Sequence, residues 1–396
     1  MPILLSQSSL VFRLFANLLL FFGTVFLLDT SSNGQTQLVA SVAHTRYTIT
    51  STVLGEQRTI LVRVPIDYER GINRYPVVYM LDAHQPQNAM MAAIIEQQAW
   101  SGMMPEMILV GIQNTDRSRD LTPTDDGKGG TVGGGAKFLQ FIETEVIPLV
   151  EKNYRTQPYR IFAGHSLGGL FTMYSFVSRP ELFNAYIAAS PALGYDNGYV
   201  IKRADNVLKQ ERKWNKTLFF AVGDEPTYLE AVNEMRDLLK RSKPKDLEYE
   251  FRQFKDENHG SVLLPAYYAG LRMVFAGWQP PSSGTVADMQ AHYKKLSERF
   301  GYKIPIPEVI LNQMGYQLLQ ANRIAEAIEA FKSNLESYPY AANCYDSLAS
   351  AYEKNGDLKK AIEYYEKAYK MAEEHGENVL ARSAKANFER ISAKAK

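Results

Sequence analysis

One cysteine, six histidines, three tryptophans and almost no net charge stand in a chain of 396 residues, and each shortage excludes something. Cys344 alone can close no internal disulfide and build no cysteine-based zinc site, so burial and hydrogen bonding must hold the fold. The 44 Lys plus Arg and 43 Asp plus Glu leave a formal charge of +1. A nucleic-acid binder carries a basic excess or a basic stripe, and none is visible, so nucleic acid is not an expected partner. No metal constellation is evident, and neither a metal nor an organic cofactor is expected. With 45% hydrophobic and 22% charged residues the chain reads as globular, neither disordered nor an all-membrane protein. Its length suggests two or three domains.

Long apolar runs are also scarce, and the one present is at the start. Leu14 to Leu28 reads LFANLLLFFGTVFLL, uncharged, with Arg13 before it and DTSSNGQTQ after it. That is the layout of a secretory signal. It falls short of the roughly 20 residues a spanning helix needs. Residues 1–34 are therefore expected to be a cleaved signal peptide of an exported, periplasmic or secreted protein. Without cleavage they would be an N-terminal anchor, the one route to a membrane.

What is abundant is alternation. From about Tyr47 to Phe275 short apolar strands alternate with amphipathic helical stretches, the pattern of an α/β domain with a mostly parallel sheet. TRYTITSTVLGEQRTILVRVP, with Gly55 at its turn, reads as a hairpin. PVVYMLD, MILVGI, YRIFAG, AYIAAS, TLFFAVGD and LEYEFRQF follow, giving about eight strands. In AKFLQFIETEVIPLVEKNY the residues Phe138, Ile142 and Val146 share one helical face. GWQPPSSG, Gly277 to Gly284, is turn and breaker chemistry. The expected plan is an α/β domain over 35–278, a linker over 279–305 and an all-helical domain over 306–396. The last part repeats itself at 34 residues: Gly315 matches Ala349, Leu318 Tyr352, Ala327 Ala361, and Phe331 Tyr365. It resembles the tetratricopeptide repeat family. Two repeats are fewer than the roughly three a free-standing array needs, so these helices are expected to pack on the catalytic domain or on a second copy. A groove for a protein partner is the functional alternative.

Gly164-His165-Ser166-Leu167-Gly168 fits G-x-S-x-G, directly after the strand YRIFA and directly before the helical LFTMYSFVS. A serine between near glycines can sit on a sharp strand-to-helix turn that exposes its hydroxyl, and the helix behind it favours negative charge at the site. Ser166 is the expected nucleophile. It needs a base, and the histidine after the last strand is His259, in DENHGS. His165 reads as a packing or hydrogen-bonding residue, because adjacent side chains on a turn diverge. The base needs an acidic partner, expected at the end of the preceding strand, where Glu225 and Asp224 both stand; Glu225 is preferred, and the other would cap the following helix. Backbone donors for the developing oxyanion are expected at Leu167 and, in the loop after the third strand, at His84 with Ala83 beside it; the alternative for the His84 side chain is to line the substrate cleft.

VVYMLDAH, VGIQNTDRSRDLTPT, GGGAKFLQFIETEVIPLVEKNY, IFAGHSLGGLFTMYSF and NHGSV together resemble the esterase D-like "putative esterase" family of α/β-hydrolases, over about Thr45 to Phe275. NTDRSRDLTPT is most similar to its ferric-siderophore esterase branch. The resemblance implies an α/β-hydrolase fold and a serine esterase with Ser166 as nucleophile and His259 as base. Its expected partner is a small-molecule ester, siderophore-type or aryl/acyl. Arg117 and Arg119 are candidates for contacting an anionic substrate, or else surface residues paired with Asp116 and Asp120. An acyltransferase with the same triad, or an inactive scaffold acting through its repeats, are the alternatives.

Overall fold

A computed structural model of the chain describes residues 44–395 apart from Asp67, Gln85, Ser282 and Ser283. The expected signal segment lies outside them. Among the described residues no helix is long and apolar enough to cross a membrane.

Eight strands form one sheet: β1 (Thr45–Ser51), β2 (Glu56–Arg63), β3 (Tyr75–Met80), β4 (Ile108–Ile112), β5 (Thr156–His165), β6 (Ala185–Ala189), β7 (Lys216–Val222) and β8 (Leu247–Gln253). Their spatial order is β1-β2-β4-β3-β5-β6-β7-β8. β2 runs antiparallel to both neighbours, and every other pair is parallel. The inner strands are apolar at consecutive positions because helices cover both faces, so alternate residues enter different cores. Val77 and Tyr79 of β3 face one layer and Val78 and Met80 the other; Phe162 of β5 opposes Ile161 and Ala163 in the same way.

Two helical layers cover the sheet. In chain order α1 is Gln87–Trp100, α2 Arg117–Leu121, α3 Gly135–Phe141, α4 Ile147–Asn153, α5 Leu167–Ser178, α6 Tyr199–Leu208 and α7 Pro226–Ser242. The apolar faces of α3 to α7 fill the core of the first layer. α3 and α4 are joined by a π-turn, Ile142–Val146, rather than by the continuous α-helix expected from the four-residue spacing, though Phe138, Ile142 and Val146 are all buried. The wider turn presents Glu145 to the β1–β2 hairpin, where Oε1 accepts from the N–H groups of Thr52 and Val53 at 2.9 and 3.0 Å.

The second layer holds α1, α8 (Leu263–Val274) and α9 (Val286–Phe300). The last of these occupies the stretch expected to be a linker. It is a capped helix: Thr285 and Asp288 form a reciprocal capping box, and Gly301, at φ 75°, ends it. Met289, Tyr293, Leu296 and Phe300 lie on one face and are buried in the esterase core. The Phe300 ring meets Tyr159 of β5 edge-on at 4.9 Å.

α10 (Glu308–Gln320) to α13 (Leu358–Glu374), with α11 (Ile324–Ser337) and α12 (Ala342–Lys354) between, form the two helix pairs, and α14 (Asn378–Lys394) closes them. The repeat's small positions are where helices touch. A Cβ on Gly315 would lie 2.4 Å from the Phe331 ring. Leu311 of α10 joins the second esterase core, so the repeats pack on the catalytic domain.

Candidate active site

β5 ends in a sharp strand-to-helix elbow at Ser166, the expected nucleophile. Ser166 holds φ 60° and ψ −117°, a conformation that L-residues seldom adopt. The turn closes so tightly that a Cβ at Gly164 would stand 2.3 Å from the Gly168 carbonyl oxygen, which is why glycine is required there. Beyond it α5 is buried almost throughout, so the elbow rests on a fixed helix. As the first helical residue, Leu167 has an N–H without an intrahelical acceptor, at the positive end of the helix dipole.

His259 follows β8. Its Nδ1 hydrogen-bonds to Oε2 of Glu225, which follows β7 and is buried. The other oxygen, Oε1, accepts from the Ser190 hydroxyl at 2.5 Å and from the Gly223 N–H at 2.9 Å. Burial alone would raise the Glu225 carboxyl; the Ser190 and Gly223 donors with His259 hold it below its ordinary value. A carboxylate so held fixes the imidazole with hydrogen on Nδ1 and leaves Nε2 as the proton acceptor. Asp224 is exposed, and its N–H bonds the Glu257 carbonyl at 2.6 Å. Of the two acids considered, the structure brings Glu225 to the histidine and leaves Asp224 outside.

The elbow and the histidine loop are tied through His165. Its Nε2 lies 2.8 Å from the His259 carbonyl, and the two imidazole centroids are 4.5 Å apart. The Tyr228 ring, from the first turn of α7, lies 4.6 Å from the His259 ring.

The second oxyanion donor departs from expectation. Asp82 has φ 54°, and the sharp turn it makes folds the His84 N–H back onto the Asp82 carbonyl at 2.7 Å. The Ala83 N–H bonds the Ile112 carbonyl at 3.2 Å. Both donors are already engaged, one within the loop and one on β4. His84 lines a cavity of about 230 Å³ that is also lined by Asp82, Gln87, Arg117, His165 and Tyr267. A larger groove, about 1040 Å³, lies between α9 and the first repeat and has none of these groups.

The two arginines separate. Arg117 reaches the cavity, with Nε and Nη2 on the two Asp82 oxygens at 2.7 and 2.8 Å and Nη2 also 3.3 Å from the His165 carbonyl. Asn114 donates to the same Asp82 carboxylate. Arg119 turns toward β2, where it pairs with Glu56 at 2.6 Å and Asp120 at 2.7 Å. Fully buried Arg58 completes that network on Asp120 at 2.6 Å and stacks over Phe138 at 5.0 Å. Arg119 therefore anchors the loop that carries Arg117 and does not face the site.

Residues 51–268, more than half of the chain, match the family described as "Putative esterase". The chain belongs to this family. A second match, "Tetratricopeptide repeat", covers residues 308–374. Among curated proteins this esterase is 32% identical over 217 residues to the ferri-bacillibactin esterase BesA of Bacillus subtilis (strain 168), across 48% of this chain and 75% of that one. Among solved structures it resembles an IroE-like serine hydrolase from Shewanella oneidensis, with TM-score 0.66, 28% identity, and coverage of 74% of this chain and 99% of that one. An uncharacterised protein from Capnocytophaga ochracea DSM 7271 shares the fold over 89% of this chain and 100% of its own, with TM-score 0.60 and 19% identity. The chain is a carboxylic ester hydrolase with an α/β-hydrolase fold and C-terminal tetratricopeptide repeats.

Two residues of the site escaped the sequence. Ser190, at φ 38°, holds the acid; its only signal was a polar residue ending an apolar strand just before Pro191. Tyr228 stood inside an amphipathic helix, and nothing local distinguished it from a packing residue.

Proposed function

We propose that this chain hydrolyses siderophore-type carboxylic esters through an acyl-enzyme on Ser166. His259 Nε2 takes the Ser166 hydroxyl proton as Oγ attacks the ester carbonyl carbon, and the Leu167 N–H receives the developing oxyanion. The C–O bond to the alcohol then breaks, and His259 returns the proton to the leaving oxygen. Water repeats the sequence on the acyl-serine and releases the acid. Glu225 keeps the imidazole in the required tautomer and stabilises its charged form. The observation that supports this assignment is the Glu225–His259 hydrogen bond beside a serine held at an elbow geometry.

The substrate class rests on the relative named a ferri-bacillibactin esterase. Arg117, at the cavity, is the arginine proposed to meet an anionic substrate. Its charge is balanced by Asp82, so it would act by directed hydrogen bonds more than by net attraction. The Leu14 to Leu28 run supports export.

The test is hydrolysis of a ferric tricatecholate trilactone, followed by chromatography and mass spectrometry, beside a short p-nitrophenyl ester. The wild type is expected to cleave both, and Ser166→Ala to lose at least about 10³-fold on each. Appreciable turnover by Ser166→Ala would refute the nucleophile. Cleavage of the p-nitrophenyl ester alone would refute the substrate class.

A further inference from the structure

Glu225 fixes one atom of the His259 ring, Nδ1, and a ring held at one atom can still swing. The loop that carries it, residues 258–261, is closed mainly upon itself. Asn258 Oδ1 accepts from the Gly260 and Ser261 N–H groups at 2.9 and 3.0 Å, and the Ser261 hydroxyl accepts from the Asn258 N–H at 3.0 Å. The Asp224 N–H on the Glu257 carbonyl ties the start of the loop to the end of β7, but none of these bonds reaches the elbow.

We propose that His165 is the positioning residue that sets the base against the nucleophile, by donating from Nε2 to the main-chain carbonyl of His259 and by packing its ring against the His259 imidazole. The proposal rests on the assignment of His259 as base. Its geometry is a 2.8 Å hydrogen bond and a 4.5 Å ring contact made by the same side chain. A carbonyl oxygen only accepts, so Nε2 of His165 must carry the hydrogen. His165 directly precedes Ser166, so a bond from its side chain to His259 registers the base against the residue next to the nucleophile, with no intervening mobile segment.

The backbone of His165 is itself held. Its own carbonyl accepts from Arg117 Nη2 at 3.3 Å, and Arg117 is fixed by both oxygens of Asp82. The charged and titratable groups facing the pair are Asp82 and Arg117 beside His165, Glu225 and Tyr228 beside His259, and buried Tyr267 near the Asp82–Arg117 pair. Burial, then the neighbouring His259, push the His165 imidazole down to about 4. At neutral pH the ring packed on the base is therefore uncharged and does not oppose the imidazolium that forms during catalysis.

Full-length enzyme with p-nitrophenyl butyrate provides the test, in three variants. His165→Phe keeps a ring and removes the donor. It should lower kcat roughly 10- to 100-fold, the scale of a displaced catalytic group, with KM within about twofold. His165→Gln restores an N–H at a similar reach and should recover most of that loss, which a purely structural role would not predict. If His165→Phe does not fold, His165→Asn takes its place, since its shorter amide cannot span to the carbonyl and should lose kcat in the same way. A kcat within about twofold of wild type in the donor-lacking variant, or no recovery in His165→Gln at equal thermal stability, overturns the proposal. Ser166→Ala and His259→Ala run alongside: if either stays active, the underlying site assignment fails instead.

Discussion

Replacing Glu225 by glutamine changes one heavy atom and should nearly abolish turnover. The carboxylate accepts three hydrogen bonds, from Ser190 and Gly223 on Oε1 and from His259 on Oε2. A glutamine amide has one acceptor and one donor end, so one end must mismatch. With its oxygen kept toward Ser190 and Gly223, the NH2 faces Nδ1 of His259 and drives the hydrogen to Nε2, where it blocks proton transfer from Ser166. With the amide flipped, the NH2 confronts the Gly223 N–H and leaves a buried donor unpaired at about 1–3 kcal/mol. The first arrangement is therefore favoured. An analogous carboxylate-to-amide change in a serine protease costs about 10⁴ in kcat, and a loss of 10³ to 10⁴ is expected here. Steady-state kinetics on a p-nitrophenyl ester, with folding checked by circular dichroism, reads it. Asp224→Asn is the paired control, expected within about twofold of wild type because that side chain is exposed. Retention of more than about a tenth of the activity in Glu225→Gln, or a collapse in Asp224→Asn, would refute the reasoning.

Two further outcomes concern stability. The His165 value of about 4 lies below its ordinary 6.5, so between those values the unfolded chain binds more protons. Stability from this group is complete above about pH 6.5 and falls as pH drops toward 4, by about 3 kcal/mol in all. Urea unfolding at pH 7, 5.5 and 4.5 should show the decline, and a His165→Gln variant should lack most of it; equal slopes in both proteins would contradict this. Asp120→Ala strips a buried partner from Arg58 and should cost about 3–5 kcal/mol, seen as a lower urea midpoint. A shift below about 1 kcal/mol would show that Glu56 alone satisfies the arginine.

Much of the architecture was legible because its signals are local. Eight apolar runs became eight strands, and the glycines around Ser166 were readable because a Cβ there meets backbone. The departures have both distant and local causes. Arg117 and Arg119 share a short helix and read alike, yet Glu56 on β2 draws one away and Asp82 after β3 holds the other. The His84 N–H was expected to be free because nothing in LDAH announces that Asp82 takes a left-handed turn. α9 was hidden by the breaker residues before it, although Met289, Tyr293, Leu296 and Phe300 already showed helical spacing. Asp224 and Glu225 are neighbours with the same chemistry, and what distinguishes them is the set of groups that the fold brings to Glu225: Ser190 just after β6, the Gly223 N–H and His259 after β8.

The seam between the two halves of the chain does not lie where their family matches stop. Between 268 and 308 runs a helix whose aromatic face is interior to the esterase. A truncation at Gly284, the natural place to cut by sequence, would strip Tyr293 and Phe300 from the core and leave Tyr159 and Phe275 open to water. A fragment that keeps this face covered therefore ends beyond Gly301. A repeat-deletion protein made shorter than that would report on a damaged enzyme, whatever the repeats themselves do.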